Sequence, residues 1–211
     1  MCKNFLKNSI KLFVMACLFI NFSYFAQSNV FDLIDKGSIS EVKPFLRKIN
    51  KNMKIENNGG DNSFSVGESL LNAACYKNDL KLVKAIVESL PGSSLDKFIN
   101  EVGIDGETPL SCACYKDNFE LVKYLIGKGA IKSINLVNIY SQSPLYWACW
   151  NNNLNMVKYL IKKSAYIDQS CLDIAEDKPE LLEFLNIMKD LVGFVRREKK
   201  MTGNLKKEKN R

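Results

Sequence analysis

Five cysteines fall between residues 75 and 171, and their types and spacing are the first chemical feature of the chain. Cys112 and Cys114 stand one residue apart in "TPLSCACYKDNFELVKYLIGKGA", Thr108 to Ala130. Cys75 and Cys149 sit in related surroundings up and down the chain, and Cys171 lies further on. Thiols so placed could bind a metal, close a disulfide or act as nucleophiles. The sequence contains no histidine, which removes the usual general base and the commonest metal ligand together. Neither a G-x-S-x-G elbow nor a phosphate-cradling glycine loop is present, and no imidazole could activate a Ser or Cys. Asp173 in "LDIAED" reads as a helix-turn residue, not as half of an acid–base pair. No catalytic residues, no metal and no cofactor are expected.

What the cysteines can do depends on the elements that carry them, and the chain repeats itself. "GESLLNAACYKNDLKLVKAIV" from Gly67, "GETPLSCACYKDNFELVKYLI" from Gly106 and "SQSPLYWACWNNNLNMVKYLI" from Ser141 align without gaps. Degenerate copies flank them, "VFDLIDKGSISEVKPFL" from Val30 and "SCLDIAEDKPELLEFL" from Ser170. Each copy reads as two short helices. Leu110, Ala113 and Cys114 form one apolar stripe; Leu121, Val122, Leu125 and Ile126 form the next at helical spacing. A Ser or Thr before Pro109 or Pro144 caps the first helix of its copy. Between the helices Gly37, Asn78, Asp117 and Asn152 occupy one shared place, and all are types that tolerate positive φ.

These residues strongly resemble the ankyrin repeat, whose pattern runs G-x-T-P-L-H-x-A-A, a turn, then V-x-x-L-L. "DGETPLSCA" with "LVKYLIGKGA" is the clearest instance. The resemblance implies an all-α ankyrin-repeat solenoid of stacked helix–turn–helix units with degenerate end caps, covering residues 29–190. Repeats lie near 29–50, 67–100, 106–135 and 141–165, with a cap at 170–195. The family histidine is replaced by Asn72, Ser111 and Tyr146. Extra residues around "LPGSSLDKFIN" enlarge one finger. The last helix begins near Pro179, and its apolar positions Leu181, Leu185, Met188, Leu191, Val192 and Val195 read as a lid on the open end of the core.

Within that fold Cys75, Cys114 and Cys149 share the second small position of the first helix, which faces the interior. Stacked helices lie about 8–10 Å apart, whereas a disulfide needs Cα atoms within about 7 Å. Cys112 points about 200° away from Cys114 on a helix. The cysteines therefore read as small core hydrophobes. Cys171, at the head of the last repeat, is expected to be the most reactive or to form an intermolecular bond.

The resemblance implies a non-enzymatic protein–protein interaction module with an unknown protein partner, acting as a monomer. The residue after each repeat cysteine faces outward in the family, and here it is Tyr76, Tyr115 and Trp150. Exposed aromatics in a row are typical of interface hot spots; alternatively the rings fold down as packing between repeats. Lys77, Lys116 and Asn151 follow them. The finger residues Asp105, Glu107, Tyr140 and Gln142 are further candidates.

The two ends of the chain are read from composition. "MCKNFLKNSIK" carries three lysines and no acid, "LFVMACLFI" is a short apolar run, and "AQS" supplies small residues. This is the layout of a bacterial-type signal peptide, residues 1–28, too short to span a bilayer comfortably, and it implies export to the periplasm or the extracellular space. Between Lys189 and Arg211 nine Lys and Arg stand against three acids. The formal charge of +7 thus belongs to the two ends, and no nucleic acid partner is expected. The tail 196–211 offers an alternative role, attachment to an anionic membrane or envelope surface.

Overall fold

The computed structural model describes residues 70–90, 92–103 and 105–191. The expected signal peptide, the first repeat with Gly37, the end of the cap beyond 191 and the basic tail lie outside the described residues. The described residues form helices joined by turns and loops, with no strand among them. They fall into two compact units that divide after Ala130.

The first unit holds α1 (Leu70–Tyr76), α2 (Leu80–Ser89), α3 (Gly92–Ile99), α4 (Pro109–Tyr115) and α5 (Phe119–Gly127). α1 packs on α2 and on α4, and α4 packs on α5. The second unit holds α6 (Pro144–Trp150), α7 (Leu154–Lys162), α8 (Gln169–Asp173) and α9, helical over 179–191. α6 packs on both α7 and α8. A short 3-10 segment, Ala130–Ser133, follows α5.

Local chemistry sets these boundaries. Thr108 Oγ1 accepts from the Ser111 amide at 3.1 Å, and Ser111 Oγ accepts from the Thr108 amide at 2.7 Å. This reciprocal box, followed by Pro109, starts α4. Ser143 before Pro144 starts α6 in the same manner, accepting from the Tyr146 amide. Each link between paired helices uses two residues for two tasks. Asn78, Asp117 and Asn152 take the left-handed bend, with φ of 61°, 55° and 53°. The residue after each one caps the second helix: Asp79 accepts from the Leu82 amide, Asn118 from Leu121 and Asn153 from Met156. Two neighbouring links are also joined, Asn118 Nδ2 donating to Asn78 Oδ1.

The anticipated apolar stripes are the core. Leu110, Ala113, Cys114, Leu121, Val122 and Leu125 have no exposed surface. Small residues at Ala73, Ala74 and Cys75 in α1 and at Ala113 and Cys114 in α4 leave room for those two helices to approach. The enlarged finger is a helix of its own, α3, which buries Phe98 and Ile99. Asn100, just after it, donates to the carbonyl of Gly129. The α9 stripe is narrower than its sequence suggests. Leu181 and Leu185 are buried, whereas Leu191 is half exposed and Met188 only partly covered.

Two backbone features escape a reading for glycine. Gly106 and Gly129 adopt positive φ in the third repeat. The aligned places in the fourth repeat hold Ser141 and Ser164, with φ of 61° and 74°. A side chain in this region costs about 1–2 kcal/mol, partly offset by the lower unfolded-state entropy of a non-glycine residue. The double variant Ser141→Gly, Ser164→Gly is therefore expected to gain about 1 kcal/mol in a urea unfolding titration. A loss of stability would show that the two serines make compensating contacts.

Candidate functional site

In the first unit, Tyr76 ends α1 and Tyr115 ends α4, one repeat apart. Because α1 packs on α4, the two rings meet. Their centroids are 5.7 Å apart with planes 14° from parallel, a stack. The ammonium of Lys116 sits 3.8 Å from the Tyr76 centroid and 5.0 Å from that of Tyr115. Both rings nevertheless remain in contact with water, 37% and 38% exposed. The Tyr76 phenol is held above its ordinary pKa, first by partial burial and then by the neighbouring Tyr115. The outcome combines the two readings of these aromatics: they pack, but on each other and at the surface. Stacking fixes both rings before any partner arrives, so less side-chain entropy is lost on binding.

Lys77 lies beside Tyr76 and is partly covered. The finger residues divide by role. Tyr140 is open, 70% exposed. Gln142 is tied into its loop, its side-chain oxygen accepting from Asn138 Nδ2 at 2.8 Å and its amide donating to Asn138 Oδ1. The backbone carbonyl of Glu107 accepts from Asn72 Nδ2 at 3.0 Å. Gln142 and Glu107 thus shape their fingers, while Asp105 sits half-exposed at a turn. The places of the family histidine are filled in three ways. Asn72 bonds to the next finger, Ser111 completes the capping box, and Tyr146 joins a ring cluster.

Trp150 belongs to the second unit and keeps different company from the tyrosines. It lies 6.3 Å from Tyr146 and 6.3 Å, edge-on, from Trp147, and is 52% exposed. Asn151 follows it as the C-cap of α6. Beside Trp150 a cavity of about 580 Å³ is lined by Asp173, Ile174, Glu176, Asp177 and Lys178. Sequence reasoning missed this cavity. Its signals were the aromatic density of "YWACW" and the acids of "DIAED", which only the α6–α8 packing brings together.

The cysteines are core residues. Cys75, Cys114, Cys149 and Cys171 have no exposed surface and Cys112 has little; all five are free thiols. Burial, with Glu107 and Asp117 nearby, pushes the Cys114 pKa well up. The expectation that Cys171 is the reactive thiol is corrected. Asp168 caps α8 and turns Cys171 inward against Cys149, and that contact, followed by burial, holds its thiol protonated. Since the thiolate is the reacting species, an exchange reagent is expected to leave all five silent in native protein carrying Cys2→Ser and Cys17→Ser. All five should react in urea. Rapid native labelling of Cys171 would contradict its placement.

No group of three or more potential ligands fit for a metal ion occurs among the described residues. No described helix is long and apolar enough to cross a membrane. A search of the curated proteins finds no match. The family model described as ankyrin repeats, three copies, matches residues 33–131 and 70–171. With that match, the capped helix pairs and the left-handed links at a shared repeat position, the chain belongs to the ankyrin-repeat family.

Proposed function

We propose that this chain binds a protein partner through the surface of its first unit that carries Tyr76, Tyr115 and Lys116. Ankyrin repeats serve as protein–protein interaction modules; what is specific here is the surface. The observation that carries the reading is a water-exposed, parallel tyrosine stack with an ammonium over it. Tyrosines of this kind offer a large contact area with few torsions to freeze. Asp105, on a finger turn of the same unit, would add a peripheral contact. In the second unit, Tyr140 and Trp150 are the exposed aromatic candidates.

The experiment is affinity capture with the whole chain as bait, beside a Tyr76→Ala, Tyr115→Ala bait of equal thermal stability. A protein retained by the first and lost by the second supports the reading. Equal capture by both contradicts it.

The reading extends to export through residues 1–28. The lysine flank, apolar run and small residues of that segment support it. Amino-terminal sequencing of the mature protein is expected to begin at Asn29; a retained Met1 would contradict export by cleavage.

A further inference from the structure

We infer that the second unit carries a receptor cavity for an arginine side chain presented by a protein partner. Its volume, about 580 Å³, lies within the range of roughly 300–1,000 Å³ usual for ligand pockets. Its lining includes Trp150, half exposed and held in a ring cluster with Trp147 and Tyr146. The rest is the end of α8 and the turn after it, where Asp173, Glu176 and Asp177 contribute three carboxylates.

The only cation among the described lining residues, Lys178, is already engaged. Its ammonium donates to the Ile174 carbonyl at 2.6 Å and to Asp177 Oδ1 at 3.0 Å. Asp173 Oδ1 accepts from Gln169 Nε2, a neutral donor, at 2.9 Å. The described lining therefore keeps a net charge of two negatives beside a half-exposed tryptophan. Among the described residues, no ammonium stands over the Trp150 ring and no ion pair engages Asp173 or Glu176.

A guanidinium answers both features at once. It is flat and weakly hydrated, so it stacks on an indole, while its in-plane N–H groups donate to carboxylates. A lysine ammonium satisfies the charge without the stacking. An anionic ligand is repelled. That the guanidinium comes from a protein rests on the interaction-module reading. The described lining includes neither Tyr76 nor Tyr115.

The test is fluorescence anisotropy of a labelled hexa-arginine peptide titrated with the whole chain. A peptide of the same length with citrulline at every position serves as the uncharged control. Saturable binding of the arginine peptide is expected, with none for citrulline. Trp150→Ala and the pair Asp173→Asn, Glu176→Gln should each weaken it about tenfold. Unchanged melting curves must accompany both variants. Asn and Gln keep the size of the acids they replace, so the second variant stands if the first unfolds. Tyr76→Ala, Tyr115→Ala should bind the peptide normally.

Three results would overturn the inference: equal binding of citrulline, indifference to both sets of substitutions, or binding that appears only after residues 196–211 are removed. The last would make the chain's own arginines the occupant. Absent peptide binding alongside tyrosine-dependent capture would remove this inference alone and leave the first-unit reading standing.

Discussion

Leu121→Ala is expected to lower the unfolding free energy by about 3 kcal/mol, the largest stability effect of any single substitution considered for this chain. Leu121 opens the inner stripe of α5 and has no exposed surface. It sits one turn from the Asn118 cap, and Val122, Leu125 and Ile126 continue the stripe beside it. Truncation removes buried methyl groups and leaves a cavity that short, capped helices cannot close by sliding. α5 packs on α4, which packs on α1. In a repeat array each unit is stabilised by its neighbours alone, so the loss passes along the first unit. Against a total of about 5–15 kcal/mol for a domain, this is a large share. A urea titration followed by circular dichroism measures it, with Lys123→Ala on the outer side of α5 as the control, expected within about 0.5 kcal/mol. A change below about 1 kcal/mol for Leu121→Ala would contradict its place in the core.

The second large effect concerns binding and not folding. Tyr76→Ala, Tyr115→Ala is expected to weaken the partner complex about a hundredfold or more, since hot-spot truncations cost about 2 kcal/mol or more each. Because the rings stack on one another, either single truncation leaves the other ring unsupported. The single variants should each lose most of the double's effect, and a double-mutant cycle would show strong coupling. Lys116→Ala is expected to act more weakly, about 0.5–1 kcal/mol, the usual size of an exposed cation–π contact. Titration calorimetry with the captured partner reads all of these. The rings are more than one-third exposed, so the melting curve should move little. If the double variant unfolds instead, the tyrosines are structural packing and the binding surface lies elsewhere.

Much of the fold was legible because the repeat states it more than once. The Pro at the first helical position, the small pair inside the first helix and the V-x-x-L stripe of the second each recur at one offset. Asn78, Asp117 and Asn152 announced a left-handed bend because few other residues take one without glycine. Their neighbours Asp79, Asn118 and Asn153 could have been read as caps by the same logic. Ser141 and Ser164 could not: serine carries no preference for positive φ, and only alignment with Gly106 and Gly129 exposes the strain. The inserted residues before Glu101 gave no period long enough to distinguish a helix from a loop, and they form α3.

The candidate site was legible in residue type, and the ring contacts within each unit were not. Tyr76, Tyr115 and Trp150 share a repeat position, which suggested one ladder. The structure joins the two tyrosines through the α1–α4 packing and gives Trp150 to a cluster with Tyr146 and Trp147. Ring size and local aromatic neighbours decided that, and a repeat alignment carries neither. Cys171 was misjudged because its position at a repeat head suggested exposure. The Asp168 cap sets the start of α8, and that start turns the thiol inward.

Hydrogen exchange on the captured complex, compared with the free chain, would locate the partner on the tyrosine surface. Slowed exchange is expected at the amides around the two tyrosines, residues 74–78 and 113–118, with the outer sides of α2 and α5 unchanged. Protection confined to those outer sides, or to the second unit alone, would contradict it.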